Sequence, residues 1–577
     1  MKSNKRILLL SGNYYPEPTG IGKYNGEMMD WLSAQNYQCG VVASYPHYPQ
    51  WKIQSSYSGN SFWYKTEKKR FHSSPPIDIY RCPHYIPSKP TGAKRILSDL
   101  SYFISAFFQV IRLLFRKKYD YVLVVAPPLP VGLLGLLYSK LKNATFIYHT
   151  QDLQIDAAIN LGLIKSRWLI RLIYSVEKHI LRKADFVSSI SEGMILELKN
   201  KFNREVILFP NWVDTNIFFP ISDKASIAAK FGYDTDDKIV LYSGAIGEKQ
   251  GLINMLKAAK TLNKSSRIKF VICGSGPYKD ELIESAESMG LSNVLFLPLQ
   301  STTSFNELLN LASIHLVLQK RSDNELFMPS KLTSILSVGG LVVVTATENT
   351  NLFRLITDND MGFAIEPEND LILTRTIENA TISDNENTRK NALNYAINFL
   401  EKNNVLSDYF LKITHSHETE ITNREMPVRK QEKRKLTNIF KLIFTSSYFI
   451  ILFYLVFFIS RRRGGYSYDI NLVPVRNTLR ELNYLTEIGR FNYFSNIFGN
   501  ILLFFPLPII LKMYLKVYKF STVLFISMFF STAIETLQYI FRVGVADIDD
   551  VILNTIGACF GYFFISQSKR TLGSLIS

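Results

Sequence analysis

The sequence predicts an α/β protein in which two doubly wound, Rossmann-like domains precede an all-α transmembrane bundle of about four helices. Short, almost continuously apolar segments alternate with helical segments from Arg6 to about Phe218, and the alternation starts again at Ile239 and runs to about Phe410. Strands that are apolar throughout are typical of parallel sheets with helices on both faces. Beyond them, four nearly uncharged runs of 18 to 22 residues are each long enough to cross a bilayer.

Length and composition agree with several domains. With 577 residues, 47% of them hydrophobic, the chain can form roughly three to four domains with their own cores. The four cysteines lie far apart without a C-x-x-C pair, which argues against a zinc site or a disulfide framework. The apolar run after Arg6 is too short for a signal peptide, so we expect the N-terminal part to stay in the cytoplasm.

The net charge of +17 is distributed unevenly. From Arg424 to the end there are 19 Lys and Arg against 9 Asp and Glu, which leaves +10 in the last 154 residues and +7 in the first 423. The basic residues of this tail flank apolar runs, as in membrane proteins that keep basic residues on the inner side. The charge therefore indicates a lipid bilayer, and not nucleic acid, as the partner.

Strand and turn signals give the boundaries. The first domain, residues 1–218, and the second domain, 219–413, precede a basic linker, 414–436, and a membrane domain, 437–568. The strands are predicted at Ile7–Leu10, Cys39–Ala43, Tyr121–Val125, Thr145–Tyr148, Phe186–Ile190, Val206–Phe209, Ile239–Tyr242, Phe270–Cys273, Val294–Phe296, His315–Leu318 and Leu341–Val344. Two such domains side by side leave a cleft at the carboxyl ends of their strands, where ligands bind.

Glycine clusters follow three of these strands, at Gly20 to Gly22, Gly244 to Gly251 and Gly274 to Gly276. In the second cluster the chain passes from a strand through glycines to a helix start, where N–H groups favour an anion, and Lys249 adds a positive charge. We interpret it as a phosphate cradle, although glycines that only turn the chain would explain this loop taken alone. A dinucleotide site fits poorly, because the first cluster departs from the G-x-G-x-x-G spacing and no acidic residue follows the next strand.

Seven motifs stand in a fixed order: Gly20-Ile-Gly-Lys-Tyr24, Tyr48-Pro-Gln-Trp51, Gln151-Asp152, Pro210-Asn-Trp-Val-Asp214, Gly244-Ala-Ile-Gly-Glu-Lys-Gln-Gly251, Gln319-Lys-Arg321 and Pro329-Ser-Lys-Leu-Thr-Ser-Ile-Leu-Ser-Val-Gly-Gly340. Together they resemble retaining GT-B glycosyltransferases of family 4, within it the WbuB/WcaI-like branch associated with colanic acid and O-antigen assembly. The resemblance implies transfer of a sugar from a nucleotide diphosphate donor, a UDP- or GDP-sugar, bound mainly by the second domain. The acceptor would be held mainly by the first domain, and no metal would be obligatory.

The chain departs from the family pattern at two places. Family members often carry an arginine where this chain has Ala245, and two glutamates eight positions apart where it has Leu326 and Ser334. Glu325 lies one residue from the first of these positions and is a candidate for the donor site. The WbuB/WcaI-like branch resembles this chain in lacking the second glutamate, so the departure does not exclude activity.

Breaking a glycosyl–phosphate bond leaves negative charge on the diphosphate, so the site needs cations and N–H donors there. Lys249 is the first candidate, and Lys331 follows because it opens a helical stretch after Pro329. Lys320 and Arg321 are further candidates, each of which could equally be an ordinary surface charge. The resemblance adds these residues to the donor site: Gly20, Gly22, Gly244, Gly251, Gly274, Gly276, Ser330 and Leu332.

His149 and Asp152 follow the strand Thr145–Tyr148 and are expected to point into the cleft. By resemblance, this region contacts the transferred sugar or the incoming hydroxyl, so both residues join Lys249 as candidate catalytic residues. A purely structural histidine remains an equal alternative.

The segment Leu100–Phe115 is apolar almost all round and is followed by Arg116-Lys-Lys118. It fits a buried helix before the strand Tyr121–Val125. The alternative is a helix that enters the membrane interface, with the basic cluster on anionic headgroups.

The tail carries Asn471-Leu-Val-Pro474, Asn496 to Pro506, Glu535-Thr-Leu-Gln538, and Arg542 followed by Asp547 to Asn554, and resembles the VanZ-like family over about 110 residues. Glu535 and Gln538 share a helix face, as do Asp550 and Asn554. Because an acid inside a membrane span is costly, we expect a polar site of Glu535, Gln538, Arg542, Asp549, Asp550 and Asn554. A polar pair that only locks the bundle is the alternative.

These observations favour a multi-pass protein of the bacterial cytoplasmic membrane with its glycosyltransferase domains in the cytoplasm. It would transfer a sugar to a polyprenyl-diphosphate-linked glycan during assembly of a surface polysaccharide. The alternative is a VanZ-like membrane protein that binds an amphiphile and whose GT-B part is inactive.

Overall fold

The computed structural model describes residues 5–59, 61–70, 74–88, 91–153, 155–156, 159, 166–264, 267–321, 329–348, 350–423, 445, 448–449, 452, 470–471, 473–474, 497–515, 519–540 and 546–567. They belong to two compact units, Met1–Arg424 and Glu425–Ser577. The first unit contains both α/β domains.

The sheet of the first domain has eight strands: β1 Arg6–Leu10, β2 Gln38–Ser44, β3 Lys65–Lys69, β4 Ile77–Cys82, β5 Tyr121–Ala126, β6 Thr145–Thr150, β7 Phe186–Ser189 and β8 Ile207–Leu208. Their order is β3-β4-β2-β1-β5-β6-β7-β8, and all pairs are parallel except β3 with β4. The helices are α1 Gly20–Ala34, α2 Gly92–Leu114, α3 Val131–Lys142, α4 Arg167–Lys183 and α5 Glu192–Phe202.

The second domain has six parallel strands: β9 Lys238–Ala245, β10 Ile268–Ser275, β11 Val294–Leu297, β12 Ile314–Val317, β13 Val342–Thr345 and β14 Gly362–Ile365. Their order is β11-β10-β9-β12-β13-β14. The helices are α6 Lys224–Phe231, α7 Ile253–Thr261, α8 Lys279–Ser288, α9 Thr302–Leu311, α10 Lys331–Ser337, α11 Asn351–Asp358, α12 Asp370–Ile382 and α13 Glu386–Tyr395.

Both sheets are buried on two faces, which explains their continuous apolar strands. In β1, Leu8 and Leu10 join the core layer with α2 to α5, whereas Ile7 and Leu9 join the layer with α1. Successive side chains of a strand point to opposite faces, so two buried faces require an unbroken apolar run. The predicted doubly wound arrangement is confirmed, and strands β3, β4 and β14 are additions to it.

The second domain ends earlier than the sequence predicted. After a π-helical turn at Ala396–Leu400, helix α14, Lys402–Asn423, returns to the first domain. Leu406, Tyr409 and Phe410 pack in the core layer under α1, although the predicted boundary assigned them to the second domain. The chain therefore crosses between the domains twice.

Helix α2 confirms the buried-helix alternative for Leu100–Phe115 on one of its faces. Tyr102, Ala106, Val110 and Leu113 are buried in the core layer shared with β2 and β4. The opposite face of the helix is exposed. Burial alone therefore does not explain why the segment is apolar all round.

In the tail, the described residues form a helical stretch over 497–504 and the helices α15 Leu507–Leu515, α16 Phe520–Ile540 and α17 Ile548–Gln567. Two short strands, β15 Ile470–Asn471 and β16 Ala546–Asp547, pair in parallel. Gly557 and Gly561 lie against the backbone carbonyls of Ile501 and Phe505, so a Cβ at either position would collide with the facing helix. Glycine at these two positions thus allows close helix packing in this domain.

Among the described residues, one helix, Lys94–Leu114, is long and apolar enough to cross a membrane. It belongs to the first domain, and 39% of its most apolar stretch is buried. The apolar helices of the tail, Ile497–Lys512 and Phe520–Thr536, are shorter over the described residues. The predicted crossings of the tail therefore stay a prediction.

We predict that a fragment of residues 1–423 folds, whereas a fragment of residues 1–400 does not. The shorter fragment lacks Leu406, Tyr409 and Phe410, and removal of several core side chains costs about 2–5 kcal/mol each. Circular dichroism and thermal unfolding check this. Two equally stable fragments would contradict the role assigned to α14.

Candidate active site

The ammonium group of Lys331 is the main electrostatic feature of the second domain. Its Nζ is buried and has no hydrogen-bond partner among the described residues. It lies 3.7 Å from the centre of the Tyr242 ring, and a Cβ on Gly244 would come within 3.2 Å of it. Burial lowers the Lys331 pKa to about 7. The loop after β9 therefore faces a cation that lacks a counter-charge in the described part of the chain.

The glycines of this region let two loops approach closely. Gly244 has φ +136°, and Gly251 has φ +63°, conformations that favour glycine. A Cβ on Gly274 would lie 1.9 Å from the carbonyl oxygen of Gly244, and one on Gly276 would lie 2.1 Å from that of Ile246. Gly274 and Gly276 thus fix the junction of β9 and β10, and their predicted donor contact, if made, is an additional role.

Lys249 stands on a 3₁₀ turn, Glu248–Gln250, between β9 and α7. Its positive charge acts on Asp152 of the first domain, so the structure brings these two candidate residues together across the cleft. Burial raises the Asp152 pKa to about 6, and Lys249 opposes that shift. The Asp152 Oδ1 is buried without a hydrogen-bond partner in the described structure.

A second contact between the domains lies nearby. Tyr24, on the first turns of α1, lies near Thr333 of α10, two residues after Lys331, and Thr333 opposes the rise that burial causes in the Tyr24 pKa. The predicted start of a helix at Lys331 is confirmed, with Pro329 and Ser330 immediately before it and Leu332 buried behind it. The Gly20 to Gly22 loop therefore reaches the same part of the cleft as the Lys331 motif.

Gly22 is required by a buried carboxylate. Its Cβ would lie 2.5 Å from Oε2 of Glu17, which is 2% exposed. Oε1 of Glu17 accepts hydrogen bonds from the backbone N–H groups of His47 and Tyr48 at 3.1 and 3.0 Å. Gly20, with φ +62°, begins the helix. The first glycine cluster thus shapes the wall of the cleft around an acid that the sequence analysis did not single out.

Two of the candidate cations have partners. Lys320 forms a salt bridge of 2.9 Å with Glu248, and Arg321 one of 2.7 Å with Glu366. Lys320 also ties the cradle to β12, because its backbone N–H donates to the carbonyl oxygen of Lys249 at 2.9 Å. The side chains of Lys320 and Arg321 are therefore already paired, and this structure does not show them as unpaired phosphate ligands.

His149 lies near the end of β6 and is buried. It is 1% exposed, its ring lies 5.0 Å from that of Phe209, and Nδ1 is 3.0 Å from Oγ of Ser188. Ser188 is in turn 2.7 Å from the hydroxyl of Tyr409. Burial lowers the His149 pKa to about 3, so the ring is neutral. Its Nε2 is buried without a hydrogen-bond partner in the described structure, so the structural and the catalytic interpretation of His149 both stay predictions.

A small pocket adjoins the cradle at the ends of β12 and β13. Gln250, Gly251, Gln319, Thr345 and Glu368 are among its lining residues. The backbone N–H of Gln319 donates to Oγ1 of Thr345 at 2.7 Å, whereas its side-chain Nε2 is buried without a described partner. Gln319 is the first residue of one of the family motifs, but the sequence analysis did not select it as a site residue. Its unsatisfied side-chain amide indicates a ligand contact.

The polar residues of the membrane domain are hydrogen-bonded to one another at several places. Oε2 of Glu535 accepts from the backbone N–H of Asp547 at 3.1 Å, and Asp550 accepts from Asn500 at 2.5 Å. Asn471 donates to Asp547 at 2.8 Å, and Asn554 donates to Ser531 at 2.9 Å. Gln538 and Asp549 are buried beside them. Asn471, Asn500 and Ser531 are additions to the predicted site.

Glu325 and Arg542 lie outside the described residues. Within the described ranges, no group of three or more His, Cys, Asp or Glu side chains is placed to hold a metal ion. The expectation that no metal is obligatory stays a prediction.

Comparisons with known proteins match each part of the chain. The family descriptions are "Glycosyl transferase 4-like domain" for residues 19–212, "Glycosyl transferases group 1" for 223–399 and "VanZ/LLP1" for 445–569. The chain is 38% identical over 412 residues to WcaI of Escherichia coli (strain K12), named as a colanic acid biosynthesis glycosyl transferase. The match covers 70% of this chain and 98% of that protein. Protein VanZ of Enterococcus faecium is 30% identical over 127 residues, 21% of this chain and 71% of VanZ.

Solved structures share the fold of the first unit. Sucrose-phosphate synthase from Thermosynechococcus elongatus has a TM-score of 0.55 at 13% identity and covers 73% of this chain and 100% of its own. HepE from Anabaena, crystallised with UDP and glucose, has a TM-score of 0.51 at 13% identity and covers 71% and 100%. The predicted GT-B arrangement is confirmed.

We predict that Lys331→Met stabilises the protein. The Lys331 pKa falls from 10.5 to about 7 on folding, so the charged ammonium opposes folding below pH 7, and this cost fades as the pH rises toward 10.5. One pKa unit corresponds to about 1.4 kcal/mol, so the gain should be on the order of a few kcal/mol. Thermal unfolding near pH 6.5 and pH 9 measures it, with Lys260→Met as an exposed control. A lower unfolding temperature for Lys331→Met at the acidic pH would show that the ammonium has a partner.

Proposed function

Because the chain belongs to the group 1, family 4-like glycosyltransferases, and its tail to the VanZ family, we propose a membrane-anchored enzyme of surface polysaccharide assembly. It transfers a sugar from a nucleotide diphosphate donor to a polyprenyl-diphosphate-linked glycan. The tail holds it in the bacterial cytoplasmic membrane as a multi-pass anchor, with the two α/β domains in the cytoplasm. The relative WcaI is named for colanic acid biosynthesis, and this name supports a surface polysaccharide as the product.

One observation carries the donor assignment. The buried Lys331 ammonium lies over the Tyr242 ring and next to Gly244, and it has no hydrogen-bond partner in the described structure. A buried cation is costly unless it is paired, so the site is complete only when an anion enters. A diphosphate supplies that charge. HepE, whose crystals contain UDP and glucose, supports a nucleotide in this fold.

The other candidate residues are assigned to the remaining parts of the substrates. Lys249 neutralises the leaving diphosphate as the glycosyl bond breaks. Asp152, opposite Lys249 and with an unsatisfied oxygen, binds a hydroxyl of the transferred sugar or of the acceptor. The pocket with the unsatisfied Gln319 amide receives the nucleoside. Together, these assignments describe one extended ligand. It runs along the ends of β9 and β12 and faces Asp152 across the cleft.

We expect Lys249→Ala to lower the turnover of nucleotide sugar by roughly two or more decades, comparable to the loss of a main oxyanion donor. The assay combines the full-length protein with a panel of UDP- and GDP-sugars and a lipid-linked acceptor, and measures the donor that is consumed. Lys257→Ala, on the exposed side of α7, is the control. Normal turnover in a folded Lys249→Ala protein would move the phosphate site elsewhere. If no donor is consumed by the wild type, the amphiphile-binding alternative is favoured.

The affinity for UDP or GDP should depend on pH through Lys331. The free protein has a Lys331 pKa of about 7, and a bound diphosphate must raise it, so binding is tightest where the ammonium is charged. Above pH 7 the dissociation constant should rise, by up to about tenfold per pH unit. Titration calorimetry at several pH values measures this dependence.

Lys331→Met should bind weakly and without that pH dependence. Lys331→Arg keeps its charge throughout the range and separates the effect of charge from that of side-chain shape. A wild-type affinity that is constant from about pH 7 to pH 9 would contradict contact between Lys331 and the diphosphate.

A further inference from the structure

Helix α2 exposes a stripe of large apolar residues. Leu97, Leu100, Ile104 and Phe108 follow one another at three- or four-residue spacing, and all four are exposed. Such spacing places them on one helix face, opposite the face that packs on the sheet. Phe115, which is 87% exposed, continues the stripe just beyond the helix end.

A second group of exposed aromatic residues adjoins this stripe. Phe62 and Trp63, immediately before β3, are 83% and 77% exposed. The next residue, Tyr64, donates a hydrogen bond of 2.9 Å to the backbone carbonyl of Ser105 on α2. That bond holds the two groups together beside Ile104. We name them the apolar face: Phe62, Trp63, Leu97, Leu100, Ile104, Phe108 and Phe115.

The rim of the apolar face is basic. Residues 92–118 contain six Lys or Arg and one acidic residue, and Arg112, Arg116, Lys117 and Lys118 are exposed around Phe108 and Phe115. Beyond Trp63, Arg70 is exposed, whereas the three lysines of the edge strand β3 form ion pairs, Lys65 with Glu67, Lys68 with Asp78 and Lys69 with Asp30. The patch therefore combines apolar side chains at its centre with positive charge at its edge.

We propose that the apolar face docks the first domain onto an anionic lipid surface. Soluble proteins seldom leave contiguous apolar patches of this kind exposed. Tryptophan and other amphipathic aromatic side chains favour the membrane interface, and a polybasic rim binds anionic headgroups. The charge complementarity selects a lipid surface over a second protein. This contact lies in the α/β unit and does not depend on whether the tail crosses the bilayer or on the transfer reaction.

Docking would bring the cleft wall close to the lipid. Tyr102, on the buried side of α2, donates to the carbonyl oxygens of Ser11 and Val42 at 2.6 and 3.0 Å. Ser11 follows β1, directly before the loop that carries Glu17 and Gly20. The helix that faces the lipid is thus bonded to the strand ends that shape the cleft.

Depth-sensitive fluorescence tests the docking in the full-length protein. Trp63→Cys, Phe108→Cys and Ile382→Cys are each made in a Cys559→Ser background, because the other cysteines are buried. Each is labelled with a nitrobenzoxadiazole dye and reconstituted into vesicles of phosphatidylcholine and phosphatidylglycerol that contain lipids with a spin label in the acyl chain. We expect the spin labels to quench the dyes at positions 63 and 108. The dye at 382, an equally exposed apolar position of the second domain, should keep its emission.

Changing the charge of the lipid or of the rim tests whether the docking is electrostatic. In vesicles of phosphatidylcholine alone, or with Lys117→Glu and Lys118→Glu in the mixed vesicles, quenching at 63 and 108 should fall severalfold. The proposal fails if positions 63 and 108 are not quenched, or if position 382 is quenched as strongly. It also fails if quenching ignores lipid charge. A blue shift of the dyes without lipid quenching would overturn it in favour of a protein partner.

Discussion

The loop after β9 packs around a buried lysine that has no hydrogen-bond partner among the described residues. The Lys331 ammonium is buried against an aromatic face and the backbone of a glycine, and the described residues supply it with no anion. The attraction of the Tyr242 ring offsets only part of the cost of burial, since a cation–π contact contributes about 2 kcal/mol when desolvated. Under the proposed function, a diphosphate would supply the anion that the described residues lack, at the place where the leaving charge develops.

The cradle depends on close backbone packing. Gly274 and Gly276 let the end of β10 press against the carbonyls of Gly244 and Ile246, and this contact fixes the loop that carries Lys249. The backbone bond from Lys320 to Lys249 fixes the same loop from the side of β12. The loop is thus held on both sides, which is what preorganised phosphate binding requires. A salt bridge such as that of Lys320 with Glu248 adds little by itself, because it is exposed.

Local sequence patterns predicted the two sheets, the glycine loop after β9 and the helix start at Lys331. Apolar periodicity, glycines and charges can each be recognised within a few consecutive residues. They missed β3, whose Lys-Thr-Glu-Lys-Lys sequence is that of a charged edge strand, and also β4 and β14, in which charged residues or a glycine interrupt the apolar pattern. The return of α14 to the first domain and the burial of His149 depend on which residues far apart in the sequence pack together. A short stretch of sequence does not contain that information. The same holds for Glu17, whose partners lie thirty residues away.

Two explanations are needed for the apolar sequence of α2, a buried helix and a helix at the membrane interface. Each accounts for one face of the helix. A helix that covers a sheet needs a single apolar stripe, and Tyr102, Ala106 and Val110 provide it. Ile104 and Phe108 on the far side contribute nothing to that core, and exposed apolar side chains are an aggregation hazard that a soluble domain gains nothing by keeping. Their presence beside a basic rim therefore needs a partner outside the core. The proposed lipid surface is such a partner, because it accepts apolar side chains and attracts the basic rim at the same time.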